Sequence, residues 1–129
     1  MWLKTETSAG SEPAVRGIHV ERTGTRALVC ATEPLDLAGA GHFLERARPL
    51  IRNCEVLIAD LREAEFVDSA GIRALLTLAE TLEADRKELR LVIRPESRVE
   101  HTLSLLQLLE RFQCFPTLEL ACGKEPAIA

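Results

Sequence analysis

The stretch Val56-Leu57-Ile58-Ala59-Asp60-Leu61, followed after four intervening residues by Phe66-Val67-Asp68-Ser69-Ala70-Gly71-Ile72, sets the architecture of this 129-residue chain. Its first part lies within Cys54 to Leu61, whose unbroken apolar centre predicts a strand covered on both faces and therefore central in a sheet. The second part leads into Ile72, Leu75, Leu76, Ala79 and Leu82, an apolar stripe at helical spacing. The loop between them lies where α/β sheets carry their sites, beyond the carboxyl ends of the strands.

Working outward, Gly17 to Arg22 and Arg26 to Ala31 flank the turn Thr23-Gly24, a spacing that predicts two antiparallel strands. Ala40, Phe43, Leu44, Ala47 and Ile51 predict a helix led by Asp36 and weakened by Gly39, Gly41 and Pro49. Downstream, Leu89, Leu91 and Ile93 alternate within a predicted strand, Glu88 to Arg94. A helix from about Glu96 to Arg111 follows, with an apolar stripe broader than one buried face requires. That breadth fits either a helix seated in a groove or a partly exposed contact surface. Thr117 to Leu120 is expected to add a short edge strand, and residues 1–14 to form a flexible arm without assigned function. Residues 15–129 then make one domain of the α/β class: a mostly parallel central sheet with an N-terminal antiparallel hairpin and helices packed on the sheet.

Composition narrows the function. Apolar residues are 47% and charged residues 28%, the balance of a globular domain. Lys plus Arg total 16 against 20 for Asp plus Glu, a net charge of -4, which argues against direct nucleic-acid binding. Cys30, Cys54, Cys114 and Cys122 form no C-x-x-C pair and the three histidines lie far apart, so no zinc site is expected. No stretch approaches the roughly 20 apolar residues of a membrane span, and the expected location is the cytosol. Gly39-Ala40-Gly41 lacks the rest of a dinucleotide fingerprint, no P-loop is present, and Ser69 is not in a G-x-S-x-G elbow.

Asp68-Ser69-Ala70-Gly71 at a predicted helix start admits two readings. Asp and Ser are both favoured N-caps, so the motif can be purely structural. A cap needs only one of them, however, and small neighbours leave the Ser69 hydroxyl accessible to another protein. A phosphate there would sit at the positive end of the helix dipole.

From about Val15 to Ala121 the chain resembles the STAS domains, in particular the bacterial anti-sigma factor antagonists. The strongest match is the strand, short linker, Asp-Ser-small-Gly and apolar helix quoted above. Leu35-Asp36 is similar to the family's Gly-x-Leu-Asp segment, with Glu33-Pro34 as a departure, and Arg98-Val99 with Leu103 to the opening of its third helix. Gln107 stands where that helix commonly ends in Gly, which predicts a longer or differently capped helix. The resemblance implies a non-enzymatic switch without cofactors. In it, the unphosphorylated form binds an anti-sigma factor, often a serine kinase using ATP, and phosphorylation of Ser69 ends the association until a serine phosphatase reverses it. It further implies that Asp36, Asp68, Ser69, Ala70, Gly71 and Ile72 meet the partner, with Asp36 positioning the hydroxyl. The alternative is a STAS scaffold or accessory subunit of a transporter or sensory assembly, in which Ser69 is not phosphorylated.

Overall fold

A computed structural model of the chain describes residues 12–15 and 17–123. Six strands form one sheet in sequence order: β1 (Glu12–Val15), β2 (Ile18–Thr23), β3 (Arg26–Ala31), β4 (Val56–Asp60), β5 (Glu88–Val92) and β6 (Gln113–Phe115). The helices are α1 (Leu37–Ile51), α2 (Ser69–Ala84), α3 (Arg98–Leu105) and α4 (Leu118–Gly123). β1, β2 and β3 pair antiparallel, while β3 through β6 pair in parallel. The expected class and the hairpin of β2 and β3 are both present.

β4 hydrogen-bonds to β3 and β5, and all five of its residues are buried. Its side chains divide by the pleat. Leu57 and Ala59 join the large core under α1, α2 and α3, with Phe43, Leu75, Leu78, Leu82 and Leu103. Val56 and Ile58 point the other way, toward Leu118, Ala121 and Cys122 of α4. β5 divides likewise, but its second face carries Glu88 and Arg90. The Arg90 guanidinium donates to Glu88 Oε1 at 3.0 and 3.2 Å and to the Ala121 carbonyl at 2.7 Å, so the buried charge is paired and ties α4 to the sheet.

Three expectations are corrected. Residues 12–14, assigned to the arm, lie in β1, where Pro13 is tolerated because an edge strand needs fewer backbone donors; residues 1–11 and 124–129 lie outside the described residues. The third helix is not longer but stops at Leu105. Leu108 N–H donates to the Leu103 carbonyl at 2.8 Å and Gln107 N–H to that of Ser104 at 3.0 Å, with Gln107 at φ 58°. This is the left-handed ending that glycine usually supplies. Finally, Thr117 to Leu120 is not a strand: β6 is Gln113–Phe115, and Leu118, Ala121 and Cys122 bury one side of α4 at i, i+3 and i+4.

Candidate functional site at two neighbouring helix starts

Beyond the C-terminal ends of β3 and β4, the chain makes one further parallel bridge, Leu35 to Val67. Leu35 N–H donates to the Phe66 carbonyl at 3.0 Å, and Asp68 N–H to the Leu35 carbonyl at 3.3 Å. One residue past each bridged position stands an aspartate that caps a helix. Asp36 Oδ1 accepts from Gly39 N–H at 2.9 Å, and Asp68 Oδ1 accepts from Ala70 and Gly71 N–H at 2.9 and 3.2 Å. The two helices therefore open with matching tetrapeptides, Asp36-Leu37-Ala38-Gly39 and Asp68-Ser69-Ala70-Gly71.

The glycine is required in both. A Cβ on Gly71 would collide with the Leu35 carbonyl oxygen and Val67 Cγ2, and one on Gly39 with the Pro34 carbonyl oxygen. The close approach keeps the two loops side by side, so Asp36 and Asp68 correspond across the bridge, as do Leu37 and Ser69.

The geometry assigns the cap to one of the two candidate residues. Asp68 is the cap, and Ser69 is the first helical residue. Its side chain is exposed, and its hydroxyl makes no hydrogen bond to the described residues. Ala70 is half-buried, whereas Gly71 and Ile72 are buried and support the surface from beneath. Ser97 differs: its hydroxyl accepts from Glu100 N–H at 3.2 Å and caps α3.

The loop of residues 61–68 is also tied on its other side. Arg62 holds Asp60 with two bonds, Nε to Oδ1 at 3.0 Å and Nη2 to Oδ2 at 2.8 Å, and the carboxylate raises the guanidinium's already high pKa. Arg94 Nη2 donates to the Arg62 carbonyl at 2.7 Å, and the Arg98 guanidinium lies 5.2 Å from the centre of the Phe66 ring. Sequence reasoning did not find these clamps. The repeated Asp-x-Ala-Gly, which it also passed over, is the signal from which two helix starts built alike could have been found. Among the described residues no group of three or more His, Cys, Asp or Glu side chains could hold a metal ion, and no helix is long and apolar enough to cross a membrane.

The sequence model of the STAS domain matches residues 18–121. The chain belongs to the STAS domain family. Among solved structures, an anti-sigma factor antagonist from Mycobacterium paratuberculosis is similar at TM-score 0.73 and 23% identity, over 81% of this chain and 89% of that one. The Bacillus cell fate determinant SpoIIAA in its phosphorylated form is similar at TM-score 0.63 and 18% identity, over 81% of this chain and 96% of that one. The murine anion transporter Slc26a9 shares the STAS fold at TM-score 0.62 and 23% identity, over 78% of this chain but 17% of the transporter. No curated protein matches the chain in sequence.

Proposed function

We propose that this STAS domain is a phosphorylation-controlled binding switch of bacterial transcription, acting in the cytoplasm as an anti-sigma factor antagonist. Unphosphorylated, it binds an anti-sigma factor through Asp36, Asp68, Ser69 and Ala70, with Gly71 and Ile72 holding the surface in shape. The observation that carries this reading is the division of labour at the start of α2: Asp68 satisfies the helix donors and leaves the exposed Ser69 hydroxyl uncommitted.

The partner is a serine kinase using ATP. Ser69 Oγ attacks the γ-phosphorus, the bond to the β-phosphate oxygen breaks, ADP leaves, and the hydroxyl proton passes to a base of the kinase. Asp36, across the bridge, positions the hydroxyl. The product carries about two negative charges at the positive end of α2, where the helix tolerates them. In a closed interface the same charges must be desolvated, which ends the association. A serine phosphatase restores the binding form.

The transporter relative supports a second reading, a STAS module in a permanent assembly, in which Ser69 stays unmodified. Incubation with purified anti-sigma kinases encoded in the same genome, with ATP and mass spectrometric site mapping, separates the two. The switch predicts phosphate on Ser69. Quantitative modification of Ser97 or Thr77 with Ser69 unmodified would contradict it.

A further inference from the structure

Leu37 is 80% exposed, more than any other large apolar side chain of the described residues; Leu105, Leu106 and Leu120 follow at 69%, 54% and 55%. A single exposed leucine is ordinary on a protein surface, but the position of this one is specific. It is the first helical residue of α1, as Ser69 is of α2, and the Leu35 to Val67 bridge sets the two helix starts side by side. Leucine adds nothing to a helix start, where proline or an acidic side chain helps. Next to it lies a cleft of about 360 Å³ lined by Glu33, Pro34, Asp36, Ala38, Gly39 and His42. The surface beside Ser69 thus offers a projecting apolar side chain next to a hollow.

We infer that Leu37 is the apolar anchor of the partner interface, seated in a hydrophobic pocket of the anti-sigma factor. The inference rests on the switch reading and deepens it. An anchor of this kind contributes by leaving water, and it works only if the contact around it is dry. A phosphate on the neighbouring Ser69 would hold water in that contact, which gives phosphorylation a physical route to ending the association.

The test uses the kinase that phosphorylates Ser69, without ATP, titrated calorimetrically with the full chain and its Leu37→Ala, Ser69→Glu and doubly substituted variants. Leu37→Ala should bind at least tenfold more weakly with an unchanged melting temperature, while Leu120→Ala binds as the parent does. The penalty of Ser69→Glu should shrink in the Leu37→Ala background, because the dry contact it disturbs is already gone. If Ser69→Glu weakens binding but Leu37→Ala stays within twofold of the parent, or if the two losses multiply in full, Leu37 is not the anchor. Parent-like affinity for both single variants would contradict the switch reading and the anchor with it.

Discussion

Leu35 and Gly71 approach so closely that no side chain fits between them: a Cβ on Gly71 would fall against the Leu35 carbonyl oxygen and lie 2.8 Å from Leu35 Cβ. The start of α2 is held against the loop before α1 by this contact, and the candidate site exists only while the two stay together. Gly71→Ala should therefore destabilise the domain by about 1–3 kcal/mol through overpacking. Urea unfolding measures it, and a change under about 0.5 kcal/mol would mean that the loops separate freely.

The roles of Asp68 and Ser69 separate by mutation. Asp68→Ala leaves the Ala70 and Gly71 N–H groups without their side-chain acceptor and should cost about 1 kcal/mol. Ser69→Ala removes a hydroxyl that bonds to nothing described and should change stability by less than about 0.5 kcal/mol. Thermal melts of the two variants check the order; the reverse order would return Ser69 to a structural role.

Gln107, at φ 58°, occupies a conformation that costs a non-glycine residue roughly 1–2 kcal/mol. Part of this is offset by the greater freedom glycine has when unfolded. Gln107→Gly should thus stabilise the domain, raising its melting temperature by about 2–4 °C. A lower melting temperature would show that the glutamine side chain contributes something glycine cannot.

The same residue shows what the sequence reveals and what it hides. Periodicity located β4, the core stripe of α2 and the hairpin, because a strand buried on both faces and a one-sided helix leave strong marks. It overextended α3, since Leu105, Leu106, Leu108 and Leu109 continue an apolar pattern past a backbone reversal that no glycine announces. α4 was missed because its six residues bury only Leu118, Ala121 and Cys122, too short a run to declare a period. In the site, Asp68-Ser69-Ala70-Gly71 was readable as a helix start. The choice of Asp68 over Ser69 as cap depends on backbone angles, and the close packing of Gly71 on a loop from elsewhere in the chain.

Cys30 lies opposite Asp60 in the β3–β4 register, and burial first, then the Asp60 and Glu63 carboxylates, push its pKa up to about 12. An unfolded thiol titrates near 9.0. Below that value both states are protonated and the contribution to stability is complete. As pH rises from about 9 toward 12, the unfolded chain releases a proton that the folded one keeps, so stability falls. Urea midpoints from pH 7.5 to 10.5 should decline above pH 9, and less steeply for Cys30→Ala. A slope unaffected by the substitution would remove Cys30 as a cause.

On the switch reading, the Ser69 hydroxyl serves a partner rather than the helix. Calorimetric titration of the anti-sigma partner with the parent, Ser69→Ala and Ser69→Glu, each of confirmed fold, tests it most directly. Ser69→Ala should bind as the parent does and keep binding when ATP is added. Ser69→Glu should bind at least tenfold more weakly, a difference of about 1.4 kcal/mol. Equal affinities for all three would contradict the switch.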